Sequence, residues 1–315
     1  MAVRGNIIVI YIKLLLTAVF WGGTFIAGRM ISETVNPCSA SFLRFVIASF
    51  FLIVITIKIE GKLPKLKKNQ VIPVILLGFT GVFAYNILFL TGLRYINAGR
   101  AALIIALNPI FISLLSAFFF KERLNLIKIT GIIMSVTGAI IVISNGSITD
   151  FVGYKFGKGE LLICGCVLCW TSYSLIGRAV MDDLSPIISV CYSSIIGTLL
   201  LSVPALFSGI LSHIGSYSAV DWLNIFYLGF FGTVLGFFWY YEGINEIGPT
   251  KSSVFINFVP ISAILLAFFI LHEQITPSLL FGAVLVVSGV YFTNASRVLK
   301  QILVKGKNLY ERTCN

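Results

Sequence analysis

Charged residues are scarce in this chain. Asp, Glu, Lys and Arg make up 11% of its 315 residues, and the mean hydropathy is +0.99. Soluble domains carry about 25% charged residues, so this chain has too little charge to cover a water-facing surface. The main solvent is therefore lipid, and each spanning segment must satisfy its own backbone as a helix or within a closed barrel. The apolar runs are long and do not alternate with polar residues, which favours helices.

Groups that carry enzymatic chemistry are also few. The two histidines, His213 and His272, and 12 acidic residues are poor material for a metal site or for a nucleophile with its base. The six cysteines are interpreted as small packing residues, because the clustered Cys164, Cys166 and Cys169 cannot all share one helical face. No Gly-rich phosphate loop is present, so direct use of ATP is not expected. We therefore expect no cofactor, no metal and no enzymatic activity.

Apolar segments of roughly 20 residues, the length that crosses a hydrocarbon core, recur along the chain. They predict an all-α integral membrane protein. Three segments begin with an N-cap residue followed by proline at the first helical position, at Asn36-Pro37, Ser185-Pro186 and Thr276-Pro277. The ten predicted segments are 11–30, 38–57, 71–92, 98–119, 127–144, 159–178, 187–209, 222–243, 250–271 and 277–294.

Basic residues outnumber acidic ones and are placed unevenly. The formal net charge is +11, and Lys and Arg cluster after the second, fourth and tenth segments. With both termini in the cytoplasm, all three clusters lie on the cytoplasmic side, which is the positive-inside signature. The charge therefore sets membrane topology, and a nucleic-acid partner is not expected. Residues 297–315 are predicted to form a basic cytoplasmic tail.

The chain contains nearly the same unit twice, at 1–146 and 147–296. The pairs 149 positions apart are Trp21 and Trp170, Gly28 and Gly177, Arg29 and Arg178, and Pro37 and Pro186. The pairs 151 apart are Gly92 and Gly243, Pro109 and Pro260, Glu122 and Glu273, Gly131 and Gly282, and Gly138 and Gly289. Because each unit has five segments, an odd number, the second unit is predicted to be upside down. The prediction is ten transmembrane helices as two inverted five-helix repeats, with a site between them near mid-bilayer.

Longer motifs accompany these pairs. The first half has Trp21-Gly22-Gly23-Thr24-Phe25, Pro37 with Arg44, Gly92-Leu93-Arg94-Tyr95, Asn108-Pro109 and Glu122-Arg123-Leu124; the second has Trp170, Pro186, Gly248-Pro249-Thr250-Lys251, Pro260 and His272-Glu273-Gln274-Ile275. In their doubled order they resemble the drug/metabolite transporter superfamily, in its ten-helix EamA-type branch, over residues 11–294. One departure is that Arg44 has Ser193 as its counterpart.

The resemblance implies a secondary transporter of small organic molecules in a plasma membrane, commonly an exporter of amino acids or related metabolites. It also implies a basket of helices in which spans one, three, four, six, eight and nine surround a central cavity. The branch includes importers and carriers of lipid intermediates, so the resemblance does not specify the substrate.

Polar and aromatic residues inside the spans are the candidates for binding a substrate. Trp21 and Thr24 share one helical face, and Trp170 and Tyr173 form the matching face in the second half. A buried indole N–H needs a partner, which a cavity or ordinary helix packing can supply. The substrate-binding candidates are Trp21, Thr24, Tyr85, Asn86, Asn108, Trp170, Tyr173, Trp239, Tyr240 and Asn257. Pro109 and Pro260 are predicted helix interruptions, either beside the site or as structural kinks.

Four charged residues are candidates for coupling or gating. Arg44, within a span, would bind a substrate carboxylate or pair structurally with a carbonyl or an acid. Arg100 and Lys251 occupy corresponding positions at the starts of spans four and nine, as gates at the two mouths or as snorkelling cations. Glu242 would carry protons, reach water, or pair with a basic residue. Glu273 is interpreted as an anchor of its own turn.

The function predicted from the sequence is alternating-access export of small metabolites such as amino acids, driven by a proton gradient or by the substrate gradient. The alternatives are import of a metabolite such as S-adenosylmethionine, a lipid-intermediate carrier, a passive channel and, last, a membrane-embedded enzyme acting on lipid. The expected partners are a small-molecule substrate, the lipid bilayer and protons as a coupling ion, with the chain a monomer or a homodimer. The expected location is the bacterial plasma (inner) membrane, multi-pass, with both termini cytoplasmic.

Overall fold

The computed structural model describes residues 7–108, 110–111, 115, 126–143, 157–180, 184–247, 255–256, 258–289 and 291–292. These residues are helical apart from their connections, and no strand occurs among them. The helices are α1 (Ile7–Ile31), α2 (Pro37–Glu60), α3 (Lys68–Gly92), α4 (Ala98–Ile105), α5 (Leu126–Ile143), α6 (Lys158–Val180), α7 (Pro186–Phe207), α8 (in three parts, Ala219–Gly229, Phe230–Leu235 and Gly236–Ile247), α9 (Phe258–Leu271) and α10 (Pro277–Gly289).

Six helices in the described ranges are long and apolar enough to cross a membrane: α1, α2, α3, α6, α7 and α8. The shorter apolar helices are 129–142 of α5, α9 and α10. Many large apolar side chains on the outer surface are exposed, such as Phe207, Leu126 and Leu211, as expected where lipid rather than water is the solvent. The chain is therefore an integral membrane protein that is helical throughout its described segments, and ten spans in two inverted repeats stays a prediction.

The predicted helix starts at proline agree with the structure. Asn36 precedes α2, and its Oδ1 accepts a hydrogen bond from the Cys38 N–H at 2.9 Å. Thr276 precedes α10, and its Oγ1 accepts from the Leu279 N–H at 3.2 Å. Ser185 stands at the N-cap of α7 in an extended conformation, but its hydroxyl donates to Glu60 Oε1 instead of capping the helix.

Two helices contain π-helical segments, in which backbone hydrogen bonds join residues five apart in the chain rather than four apart as in an α-helix. In α3 the segment is Gly78–Ala84, and in α8 it is Phe230–Leu235. Gly81 of the first segment has Gly232 of the second as its counterpart, 151 positions later. The same irregularity therefore occurs at the same place in both halves.

Helices α2 and α7, which correspond between the halves, pack side by side in opposite directions. Ser39 at the start of α2 hydrogen-bonds Ser208 just after α7, at 3.1 Å, whereas Glu60 at the end of α2 meets Ser185 at the start of α7. The two helices therefore run antiparallel.

Helices α5 and α10 also correspond, and they cross through small residues. A Cβ added to Gly138 would lie 2.7 Å from the Gly282 carbonyl oxygen, and one added to Gly289 would overlap the Gly131 carbonyl oxygen. These two contacts are equivalent, because Gly131 and Gly138 are the counterparts of Gly282 and Gly289. The small residues thus let α5 and α10 approach closely, backbone to backbone, within one chain.

Candidate functional site

A cavity of about 160 Å³ lies between the two halves of the chain. Its walls are mostly apolar and aromatic. The described residues that line it are Trp21, Thr24, Phe25, Arg44, Phe45, Gly81, Tyr85, Asn86, Phe89, Ala102, Ile105, Ala106, Asn108, Trp170, Gly232, Phe237, Ile256, Val259, Pro260, Val286 and Val287. Both repeats therefore contribute to one wall.

The two π-helical segments form equivalent parts of this wall. Gly81 packs against the ring of Tyr173, and Gly232 packs against the methyl group of Thr24. Tyr173 is the counterpart of Thr24, 149 positions later. In both halves, a residue of the first helix contacts the π-helical glycine of the other half. As a result α1 packs against α8, and α6 packs against α3.

The two tryptophans meet at one phenylalanine. Trp21 and Trp170 each have ring centroids 5.7 Å from that of Phe237 on α8. Trp21 also donates its Nε1–H to the Gly232 carbonyl at 3.0 Å, and Trp170 packs on Tyr85 at 5.5 Å. The indole N–H of Trp21 is therefore satisfied by a backbone carbonyl of the π-helical segment.

Arg44 is the charged residue among those that line the cavity. Its side chain is 7% exposed. Nη1 donates to Asn86 Oδ1 at 2.8 Å, whereas Nε and Nη2 donate to Thr233 Oγ1 at 3.2 and 3.1 Å. Arg44 thus joins α2 to the π-helical regions of both α3 and α8.

The two partners of Arg44 are oriented by the backbone of these regions. Asn86 Nδ2 donates to the Val82 carbonyl at 2.8 Å, and Thr233 Oγ1 donates to the Leu228 carbonyl at 2.9 Å. Each donor satisfies a carbonyl in or next to a π-helical segment. Their remaining oxygen lone pairs face the guanidinium, so the irregular backbone aligns acceptors with a buried cation.

Asn108 presents an unpartnered acceptor. It follows α4, lines the cavity and is 7% exposed, and its buried Oδ1 has no hydrogen-bond partner among the described residues. A buried acceptor without a donor is destabilising, and such groups are uncommon in native structures. This oxygen is available to a donor that enters the cavity.

Apart from Arg100 and Glu242, which form ion pairs elsewhere in the molecule, the sequence-predicted site residues divide into three groups. Trp21, Thr24, Tyr85, Asn86, Asn108, Trp170, Arg44 and Pro260 line the cavity. Tyr173, Trp239 and Tyr240 are not among the lining residues and contact Gly81, Phe20 and Trp21 respectively. Asn257, Pro109 and Lys251 lie outside the described residues.

Several lining residues, including Phe237, Gly81 and Gly232, are not among the sequence-predicted candidates. A signal for them exists, because Phe79 and Gly81 recur 151 positions later as Phe230 and Gly232. That repeated pattern marks the π-helical segments. Thr233, which binds Arg44, has Val82 as its counterpart, so symmetry does not reveal it.

A wider, charged cavity of about 990 Å³ opens where α1, α5 and α9 end and α4, α6 and α10 begin. We call this side the vestibule face. Arg100 on α4 pairs there with Glu160 on α6, at 3.1 Å. Glu273, expected to anchor its own turn, instead accepts hydrogen bonds from the Ala98 and Gly99 N–H groups at the start of α4, at 2.9 and 3.3 Å.

The opposite face carries a different ion pair. Lys13, near the start of α1, donates to both carboxylate oxygens of Glu242 on α8, at 2.8 and 2.7 Å. Both side chains are about 30% exposed or less. Of the three fates considered for Glu242, the structure shows pairing with a basic residue. Each face of the molecule is thus bridged by contacts between the two halves.

A metal centre is not evident in the described ranges, where no group of three or more His, Cys, Asp and Glu side chains is arranged to hold an ion.

Comparisons with known proteins agree on the class of molecule. The model of the EamA-like transporter family matches residues 8–144 and 157–295. The protein named Uncharacterized transporter YyaM, from Bacillus subtilis (strain 168), is 34% identical over 282 residues, covering 89% of this chain and 92% of its own. An Uncharacterized transporter of Archaeoglobus fulgidus is 30% identical over 287 residues, covering 91% and 99%.

One relative has a more specific name. The Probable terminal-alkyne amino-acid exporter of Streptantibioticus cattleyicolor is 26% identical over 283 residues, covering 89% of this chain and 92% of that protein. A solved crystal structure superposes with a TM-score of 0.62 at 19% identity, covering 90% of this chain and 96% of the other. At that identity the likeness is one of fold.

Proposed function

Because this chain belongs to the EamA-like transporter family, we propose that it exports small organic metabolites such as amino acids by alternating access. As a secondary transporter it would use a proton gradient or the substrate's own gradient. The observation that carries this proposal is the cavity, which lies between two halves with equivalent contacts and is lined by residues of both.

The contacts between corresponding helices support the inverted repeat. Helices α2 and α7 occupy corresponding places and run antiparallel, as do α5 and α10. Two equivalent helices that run in opposite directions within one membrane are what inversion requires. An inverted repeat lets the halves exchange conformations, so that one chain opens its central site to either side.

The contacts between the halves on the two faces support a transporter that changes conformation. Arg100–Glu160 and the Glu273 contacts with α4 tie the halves together on the vestibule face, and Lys13–Glu242 does so on the other. For a substrate to pass, the contacts of one face must open while those of the other hold. Arg100 and Glu242 therefore act as gating residues in this proposal.

The size of the cavity favours a small substrate. A cavity of about 150 Å³ holds a molecule the size of benzene, and this one is about 160 Å³. S-adenosylmethionine or a lipid-linked intermediate would need a much wider site. Export of an amino acid is also the function named for the Streptantibioticus cattleyicolor relative.

The positive-inside pattern supports an orientation with both termini cytoplasmic, and the bacterial relatives support a location in a bacterial plasma (inner) membrane. The vestibule face is then the outer one, and Lys13 and Glu242 face the cytoplasm. On this assignment Glu242 is placed to exchange protons with the cytoplasm when its pairing with Lys13 is broken.

Counterflow in proteoliposomes tests the proposal. Labelled amino acids, nucleosides and S-adenosylmethionine are offered with and without a pH gradient, to the natural chain and to Trp21→Ala. Trp222→Ala is the matched control, because Trp222 lies on α8 away from the cavity. We expect saturable exchange of an amino acid that Trp21→Ala loses and Trp222→Ala keeps. No exchange of any compound by folded protein would contradict the proposal.

A further inference from the structure

The cavity carries a buried positive charge whose partners are neutral. Of the five N–H groups of a guanidinium, three in Arg44 go to Asn86 and Thr233. The other two are on the two terminal nitrogens, one each. In the part of the chain that the structure describes, no carboxylate lies within ion-pair distance of Arg44. A buried cation held only by neutral groups is costly unless an anion joins it.

A carboxylate fits this arrangement. Two N–H groups on the terminal nitrogens of a guanidinium can bind both oxygens of one carboxylate, and such charge-assisted pairs are stronger than neutral hydrogen bonds. The counterpart of Arg44 in the second half is Ser193, so symmetry does not supply a second cation. The described wall therefore matches a molecule with one negative group.

The unpartnered Oδ1 of Asn108 adds a second requirement. It lines the same cavity and is available to an N–H or O–H donor. Asn108 follows α4, whereas Arg44 lies on α2, so different helices supply the acceptor and the cation. The surrounding Trp21, Tyr85 and Trp170 rings provide apolar contact, and their faces also attract an ammonium group.

From these groups we infer that the cavity recognises a small carboxylic acid with an amino or hydroxyl group on an apolar body. Arg44 binds the carboxylate, and Asn108 accepts a hydrogen bond from the amine or hydroxyl. This inference rests on the proposed function, because it names the substrate class of the same cavity. It predicts that a substrate lacking either group binds more weakly.

The first experiment compares ligands that differ by one group. Four unlabelled compounds are tested as competitors of the counterflow of labelled leucine into proteoliposomes. They are L-leucine, its hydroxy acid, 4-methylpentanoate, which lacks the donor, and isoamylamine, which lacks the carboxylate. We expect leucine or the hydroxy acid to compete best, 4-methylpentanoate about tenfold worse, and isoamylamine about a hundredfold worse. Leucine outcompeting the hydroxy acid assigns the donor as an ammonium, and the reverse order assigns it as a hydroxyl.

The second experiment changes the protein. Arg44→Gln removes the charge and Arg44→Lys keeps it, and Lys62→Gln removes an equal charge at an exposed loop position. Asn108→Leu removes the acceptor, with Asn69→Leu on the exposed surface of α3 as its control. Size-exclusion profiles and thermal unfolding show which variants fold. We expect Arg44→Gln to lose affinity for every carboxylate and Arg44→Lys to recover part of it. Asn108→Leu should bind leucine and 4-methylpentanoate about equally.

The outcomes separate this inference from the proposed function. If the natural chain exchanges no compound, both fail. If it exchanges a substrate but isoamylamine competes as well as leucine, or folded Arg44→Gln keeps its affinity for carboxylates, the transporter stands and the assignment of Arg44 is wrong. If Arg44→Gln does not fold, the ligand series on the natural chain still decides the carboxylate requirement.

Discussion

The hydroxyl of Ser49 on α2 lies 3.0 Å from the hydroxyl of Thr198 on α7, and Thr198 is the counterpart of Ser49, 149 positions later. A residue that touches its own counterpart lies at the symmetry axis relating two halves. The contact of Ser135 Oγ with the carbonyl of its counterpart Val286, at 3.1 Å, marks the same relationship between α5 and α10. In the alternating access proposed above, contacts on the axis are the same in both conformations, whereas contacts away from it alternate.

A crosslink on the axis should therefore be tolerated. In a cysteine-free background, we expect Ser49→Cys with Thr198→Cys to keep most of its counterflow activity after oxidation. Arg100→Cys with Glu160→Cys, crosslinked on the vestibule face, should lose activity and regain it on reduction. Counterflow before oxidation, after oxidation and after reduction gives the comparison. Block by the axial crosslink would argue against rocking about α2 and α7.

Gly81 should not accept a side chain. A Cβ there would overlap the body of the Tyr173 ring, which cannot move aside without disturbing Trp170. We expect Gly81→Ala to destabilise the protein by about 1–3 kcal/mol, as measured by thermal unfolding in detergent. Gly215→Ala is the control, because nothing lies within 4 Å of its added Cβ. Adding Tyr173→Ala should relieve the clash, so a double variant no better than additive would contradict the mechanism.

The Lys13–Glu242 ion pair should affect the transport rate through the attraction between its two charges. Because both side chains are partly exposed, the pair contributes at most about 1 kcal/mol to stability. We expect Glu242→Gln to change the transport rate a few-fold with little effect on thermal unfolding. The double variant Lys13→Glu with Glu242→Lys, which keeps the pair with its charges exchanged, should transport at nearly the rate of the natural chain. If the swapped pair stays slow and also loses its response to a pH gradient, Glu242 binds the coupling proton itself.

Glu273 should stabilise α4 from the other half of the chain. Its carboxylate accepts from the first N–H groups of α4, where negative charge also interacts favourably with the helix dipole. We expect Glu273→Ala to cost about 0.5–2 kcal/mol, measured by thermal unfolding. Glu246→Ala, an exposed carboxylate at the end of α8, is the control. Equal effects of the two changes would show that the cap is not formed.

Much of the cavity could be anticipated because its residues repeat. Trp21 and Trp170 stand at matching positions of the two halves and carry an indole N–H that can donate a hydrogen bond, and both line the cavity. Trp239 and Tyr240 are equally plausible from the sequence, but neither is among the described lining residues; Trp239 packs against Phe20, and Tyr240 packs against Trp21. A helix in lipid is apolar all round, so its sequence does not show which aromatic faces the interior.

The sequence by itself determined the solvent, the helical class and the division into two related halves. Hydropathy and internal repeats are properties of short stretches and their spacing, so they can be read without knowing which helices touch. Only the tertiary structure decided that Arg44 meets Asn86 and Thr233, that Lys13 pairs with Glu242, and that Glu273 caps α4. These pairs join residues far apart in the chain, and their geometry depends on how the helices pack around the π-helical segments.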